Sequence, residues 1–187
     1  MLFTRKGDDG TTKTFGCDQK ISKSSAVAEA LGSLDEINSF LGLCKVKSQE
    51  SGFLLGDKSF AQIVHDIQQT LFIVQAELAG ADKTLDEEKV KELEFVVDTV
   101  EKILPPIKTF FISGGTELSA LFDIARTIAR RAERRVVAVS EEKIKGKKVT
   151  VGPQTLAYLN RLSSVLYALA RLSSHLSGIN EESPNYK

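Results

Sequence analysis

Between Ile124 and Val137 the chain reads IARTIARRAERRVV, five arginines and one glutamate in fourteen positions. At helical pitch Arg126, Arg130 and Glu133 share a face, with Arg131, Arg134 and Arg135 beside it. Two readings are open. One is a solvated face whose Glu133–Arg pairs contribute roughly 0.2–0.5 kcal/mol each. The other is an anion site, because the planar guanidinium fork matches phosphate or carboxylate oxygens better than any other cation. That every cation in the run is arginine, with no lysine, weighs towards the second reading.

Three other segments carry polar groups that invite chemistry. In LDEIN, Asp35, Glu36 and Asn38 interrupt an apolar run. Asp35 falls near the buried edge of that run, either as a helix-surface acid or as the partner of an arginine from another helix. In YLNRLSS, Asn160 and Arg161 break a row of leucines. They form a surface pair, or Asn160 bonds a ligand while Arg161 orients nearby acids. The N-terminal TRKGDDGTTKTFGCDQKISKS has three glycines and several hydroxyls and no apolar period, as in an ordered loop or a mobile arm. Its backbone N–H groups could cradle phosphates. It is not a Walker A loop, since the GxxxxGK[ST] spacing is missing. His65 and His175 have no neighbouring Cys or His in sequence, and no nucleophile triad or paired-carboxylate signature is visible.

The elements that must position these groups are helical. Ala30, Leu34, Ile37, Leu41 and Cys44 predict a first helix over about Ser25 to Lys47. A loop, SQESGFLLGDKS, leads to a second over about Ser59 to Ala79, which buries Ile63, Ile67, Leu71, Val74 and Leu78. Thr84 and Glu87 form a capping-box pattern opening a third, and Pro105 with Pro106 stops it. TFFISGG reads as a short extended stretch before a fourth helix that starts near Thr116. The basic loop EEKIKGKKVTVG precedes a fifth, from Pro153 to a Gly178 cap, with leucines at 156, 159, 162, 166, 169, 172 and 176 as its stripe. The tail INEESPNYK reads as frayed. The predicted fold is an all-α, up-and-down five-helix bundle in one domain: loop 1–24, bundle 25–178, tail 179–187.

A 187-residue chain can bury one substantial core. The balance of 25 Lys+Arg against 25 Asp+Glu argues against general nucleic-acid or membrane binding. Cys17 and Cys44 make no disulfide framework and match no zinc motif. MLFTRKGDDG lacks the pattern of a secretory signal, and no apolar run approaches the ~18 residues of a membrane span, so a reducing, cytoplasmic setting is expected.

Taken in order, TRKGDDGTT, LGSLDEIN, FFISGGT, ARTIARRAERRVV and YLNRLSSVLYALAR give the chain a resemblance to the ATP:cob(I)alamin adenosyltransferases of the PduO type. The match runs through nearly the whole chain, and the motifs are specific jointly rather than singly. The resemblance implies a five-helix bundle that assembles as a homotrimer, with ATP and the corrinoid bound between adjacent subunits. By it, Thr4, Arg5, Lys6, Gly7, Gly10, Thr11, Thr12 and Lys13 would wrap the triphosphate. Lys23 matches the family's lysine before the first helix. Arg130, Arg131, Ala132, Glu133 and Arg134 match the nucleotide-binding RRAER run, and Asn160 the asparagine of NRLS. Arg126 and Asp35 match a salt bridge between subunits beside ATP. Phe110 matches the aromatic that helps remove the lower axial ligand of cobalt. The family's LPGG reads ISGG here, and Ser113 in place of proline loosens that turn.

The implied reaction is attack of Co(I) on the 5′-carbon of ATP, giving adenosylcobalamin and triphosphate. It needs Mg2+, whose ligands the sequence does not assign, and invites a corrinoid reductase and an adenosylcobalamin-dependent acceptor enzyme as partners. The alternatives are a non-catalytic ATP/corrinoid carrier on the same bundle, or a structural bundle whose arginines dock an acidic partner.

Overall fold

A computed structural model of the chain describes residues 3, 5–14, 20–141, 143–144, 147–148 and 151–186. It contains five long helices: α1 (Ala26–Ser51), α2 (Phe60–Leu78), α3 (Glu87–Ile103), α4 (Glu117–Glu141) and α5 (Pro153–Leu176). Three short antiparallel hairpins accompany them. They are β1 (Thr11–Lys13) with β2 (Lys20–Ser22), β3 (Leu54–Leu55) with β4 (Lys58–Ser59), and β5 (Lys143–Ile144) with β6 (Lys147–Lys148). In cross-section α1 packs on α2 and α4, α4 on α5, and α5 on α3. None of the described helices is long and apolar enough to cross a membrane.

The helix ends follow their capping chemistry. Ser25 caps α1 by accepting from the Ala28 N–H, and Ser59 caps α2 by accepting from Gln62. Helix α1 runs four residues beyond the predicted Lys47, because no breaker precedes Gly52, whose φ of 67° closes it in the left-handed region. The Thr84–Glu87 capping box does not form: Asp86 is the N-cap of α3, and its side chain makes no cap bond. Thr116 and Ser119 make a reciprocal box at α4, each hydroxyl accepting from the other's N–H at 3.1 and 2.8 Å. Glu77 at the end of α2 accepts from the Gly152 N–H (2.6 Å) and the Thr155 hydroxyl (2.5 Å), so a carboxylate from one helix closes the start of α5.

The core is built from the predicted stripes. Ala30, Leu34, Ile37, Leu41 and Cys44 of α1 are fully buried, as are Leu71 and Val74 of α2 and Leu159, Leu162, Leu166, Leu169 and Leu172 of α5. Leu176, at the exposed end of α5, is not. Phe53, Phe60 and Phe122 stack edge to face at 5.9 and 6.3 Å, tying the segment 52–59 to α2 and α4 at roughly 0.5–1.5 kcal/mol per pair. That segment, expected as a plain loop, is therefore a packed hairpin. Burial pushes the Cys44 thiol up to about 12. Cys17 lies outside the described residues.

The N-terminal segment is a hairpin rather than a loop. Asp9, two residues before Thr11, accepts from the Thr11 N–H (3.0 Å) and hydroxyl (2.6 Å) and pairs with Lys20 across the hairpin at 2.6 Å. The C-terminal tail is docked, not frayed. Arg171 of α5 forks onto Glu181, and the Glu182 carbonyl accepts from the Ile112 N–H at 2.8 Å.

Candidate functional site

Helix α4 turns Phe122, Ala125, Ala129, Ala132, Val136 and Val139 into the core, each fully buried. Three alanines in that stripe let α1 and α5 approach closely, and the long charged side chains emerge along the two edges. The five arginines are thereby divided. Arg131 pairs with Glu36 and Arg135 with Glu29 at 3.5 Å, both acids on α1. Arg126 turns the other way, towards α5, with its guanidinium carbon 5.8 Å from the Tyr167 ring centroid. Arg130 and Arg134 are exposed and have no ionic or hydrogen-bond partner among the described residues.

Glu133 does not form the expected pair with an α4 arginine. It accepts from the Asn160 amide of α5 at 3.0 Å, because it lies on the α5 edge one turn beyond Ala129. The Asn160 carbonyl oxygen accepts from Arg161 at 2.7 Å, and Arg161 Nε donates to Glu94 of α3 at 3.0 Å. A polar chain thus runs Glu133–Asn160–Arg161–Glu94 across three helices and fixes the Asn160 amide. Ala132, in the middle of the arginine run, is core and offers no side-chain group to a ligand.

A cavity of 590 Å³ opens between the connecting segment 107–113, α4 and α5, lined by Phe110, Phe111, Asp123, Arg126, Ser163 and Tyr167 among others. Phe110 and Arg126, separate in sequence, share its wall. Phe110 is 77% exposed, so it does not plug the bundle end; Phe111 instead lies 5.1 Å from Arg171. Asp123 sits beside Arg126, Oδ1 to Nε 3.9 Å. Burial raises the Asp123 carboxyl above the usual range, against the pull of Ser113 and Arg126.

A second cavity, 520 Å³, belongs to the N-terminal hairpin and is lined by Lys6, Gly7, Thr11, Thr12, Lys13, Lys20 and Lys23. Lys23 donates to the Gly7 carbonyl at 2.8 Å, and the turn has two residues in the left-handed region, Arg5 (φ 57°) and Gly10 (φ 76°). The Arg5 guanidinium lies 5.3 Å from the Phe3 ring. Thr4 lies outside the described residues. None of the residues lining this cavity comes from α4, so within one chain the lysine cavity and the arginine edge are separate places.

Asp35 is exposed, not at the buried edge, and makes no ion pair among the described residues. It is on α1, whereas Arg126 leans away towards α5. The two are not brought together within the chain. Lys20, Asp123, Ser163 and Tyr167 line these cavities and were not singled out from the sequence. The DGT triplet at Asp9 signals an Asx turn and could have drawn attention to the Lys20 pairing. Tyr167 and Arg171 stand inside the leucine stripe of α5 and read there as ordinary packing. Among the described residues, no group of three or more His, Cys, Asp or Glu is placed to hold a metal.

Residues 2–173 match the family model described as cobalamin adenosyltransferase. The chain belongs to the cobalamin adenosyltransferase family. It is 36% identical over 181 residues to the corrinoid adenosyltransferase PduO of Citrobacter freundii, covering 93% of this chain and 50% of that one. With the corrinoid adenosyltransferase of Bacillus subtilis (strain 168) it shares 37% identity over 187 residues, covering 96% and 90%. A solved variant of a PduO-type ATP:corrinoid adenosyltransferase from Lactobacillus reuteri, complexed with cobalamin and ATP, superimposes with a TM-score of 0.86 at 28% identity. That match covers 100% of this chain and 97% of the other. The chain spans about half the length of the PduO relative from Citrobacter freundii.

Proposed function

We propose that this chain transfers the 5′-deoxyadenosyl group of ATP to the Co(I) centre of a corrinoid, releasing triphosphate. The observation that carries the reading is the α5 edge of α4. Arg126 stands in the wall of the cavity under Phe110, and the unpaired Arg130 and Arg134 follow at one-turn steps. A row of free guanidinium groups leading into a largely apolar cavity suits a polyphosphate placed beside a large flat ligand. Family membership, and the ATP and cobalamin in the solved relative, support the same assignment.

In this reading the electron pair of Co(I) forms the Co–C bond as the C5′–O bond breaks. Cobalt becomes formally Co(III), and triphosphate leaves with the bonding pair. No proton must be moved, so the protein needs neither a general base nor a covalent nucleophile. Its work is to align C5′ with cobalt, stabilise the growing charge on the leaving group and keep water from Co(I). Arg130 and Arg134 carry the charge stabilisation, and Arg131 is already engaged by Glu36. Asn160, held by Glu133 and Arg161, offers a fixed amide to the nucleotide. Mg2+ commonly binds through phosphate oxygens and one or two carboxylates, and Glu133 is the one acid within the arginine run that could serve it. Phe110 presses on the lower corrin face, favouring the state without an axial ligand.

The N-terminal segment 1–24 is the nucleotide-binding loop of a single domain, with bundle 25–178 and tail 179–187. Its lysine cavity closes over the triphosphate held by a neighbouring copy, since the two half-sites lie apart within one chain. The bundle is up-and-down and assembles as a cytoplasmic homotrimer. It is served by a corrinoid reductase and passes product to an adenosylcobalamin-dependent enzyme. The test is direct. Co(I) absorbance should decay on addition of ATP and Mg2+ as an alkylcobalt spectrum grows in, whereas a carrier would bind both ligands with no Co–C bond formed.

A further inference from the structure

The segment carrying Phe110 is held from behind by residues to which no role has been given. Arg171 is 8% exposed, deep in α5. Its Nε and Nη2 fork onto the Glu181 carboxylate at 2.6 and 2.7 Å, and Nη2 also donates to the Pro105 carbonyl at 3.2 Å. The same guanidinium lies 5.1 Å from the Phe111 ring centroid. One residue further on, the Glu182 carbonyl accepts from the Ile112 N–H at 2.8 Å. At Gly115 a Cβ would come within 2.6 Å of Ser174 Oγ, so the backbone leaving the segment lies directly on α5.

These contacts fix the segment at its start, at Ile112 and at its exit. Phe110 lies between the first two anchors and is 77% exposed, so it has no core packing of its own to set its direction. An exposed aromatic between two anchors points where the anchors send it. Both anchors converge on one ion pair, because the Pro105 contact comes from Arg171 and the Ile112 contact comes from the residue after Glu181. The Glu181 partnership raises the Arg171 guanidinium further above its already high range.

We propose that Arg171 and Glu181 are positioning residues for Phe110, and that the tail 179–182 is a strut setting the depth of Phe110 in the corrinoid cavity. This rests on the reading of Phe110 given above. The pair touches no reacting atom and acts only through the backbone of residues 105–112.

The test compares Glu181→Gln, which keeps the shape of the fork but removes its charge, with Arg171→Lys, which keeps the charge but removes the fork. Phe110→Ala is run in parallel. In the ligand-free protein, amide hydrogen exchange at Ile112 should accelerate about tenfold or more as its anchor loosens. With ATP and Co(II)alamin, the four-coordinate cobalt signal should fall in both pair variants. The KM for ATP should stay within about twofold of the parent while kcat drops about tenfold or more, as expected for a misplaced group. If Glu181→Gln folds, as judged by helical circular dichroism, yet keeps both kcat and the four-coordinate signal, the strut is overturned. Should Glu181→Gln not fold, Arg171→Lys decides on the same two readouts. If Phe110→Ala itself keeps the four-coordinate signal, the Phe110 reading fails, and that failure is separable from loss of the strut alone.

Discussion

Arg126 of α4 lies over the ring of Tyr167 of α5, and its buried Nε has no hydrogen-bond acceptor among the described residues. Asp123, the nearest acid, is 3.9 Å away, too far for a hydrogen bond. A buried donor left this way costs roughly 1–3 kcal/mol, and an acceptor from a second copy would relieve it. Asp35 makes no ion pair among the described residues, whereas its α1 neighbours Glu29 and Glu36 are taken by Arg135 and Arg131.

Asp35→Ala and Arg126→Ala should therefore couple, by about 0.5–3 kcal/mol in a double-mutant cycle on assembly. Sedimentation should show a trimer in the parent and weaker association in each single variant. Simple addition of the two losses would mean that the pair does not form.

Arg130 and Arg131 are adjacent and should behave differently. Arg130→Ala removes a cation with no partner among the described residues, so stability should change by no more than about 0.5 kcal/mol. ATP affinity or turnover should fall about 10–100-fold, the loss expected for a charge-assisted phosphate contact. Arg131→Ala breaks the half-exposed Glu36 pair and should cost about 0.2–1 kcal/mol of stability. Thermal melts and ATP kinetics on the two proteins separate these outcomes.

The lysine cavity and the arginine edge should complement across subunits. Lys23→Ala removes a cavity wall and the Gly7 contact, and should be inactive alone, as should Arg130→Ala. Mixed and reassembled, the two should regain activity at about a quarter of the interfaces, where an intact hairpin meets an intact α4. No recovery in co-assembled trimers would place both half-sites in one subunit.

Phe110→Ala should bind ATP as the parent does and lose turnover, most severely when the reaction starts from Co(II) with a mild reductant. Phe110 is largely exposed, so its removal should leave the melting temperature nearly unchanged. Retained turnover from Co(II) would assign the removal of the axial ligand elsewhere.

Asp123 links stability to pH. Burial raises its carboxyl above the unfolded value, so the folded state holds the proton more tightly and ionisation at neutral pH costs stability. That contribution is complete below the unfolded pKa and is lost as pH rises through the folded one. Asp123→Asn should raise the melting temperature at pH 7 and give no gain near pH 3, below both values. A lower melting temperature at pH 7 would mean that the Arg126 and Ser113 contacts outweigh burial.

The helices were readable from local pattern because each buries one stripe whose spacing is fixed by helical pitch. The stripe from Ala30 to Cys44 and the leucines of α5 are core as expected. The ends were less legible, because caps compete locally: Asp86 rather than Thr84 opens α3, and α1 continues to Gly52. The resemblance pointed to the arginine run, Asn160 and Phe110 as a set.

Only tertiary packing decided which arginines are free. Sequence places Arg130 and Arg131 side by side with equal charge. Their 100° separation around α4 sends Arg131 to the acids of α1 and leaves Arg130 on the open face. The same holds for the tail. INEESPNYK has no periodicity to announce order, and its place comes from Glu181 meeting an arginine buried in another element. Patterns repeated every three or four residues are written in the chain itself. Which charges meet between elements depends on how the helices pack, and no local spacing encodes it.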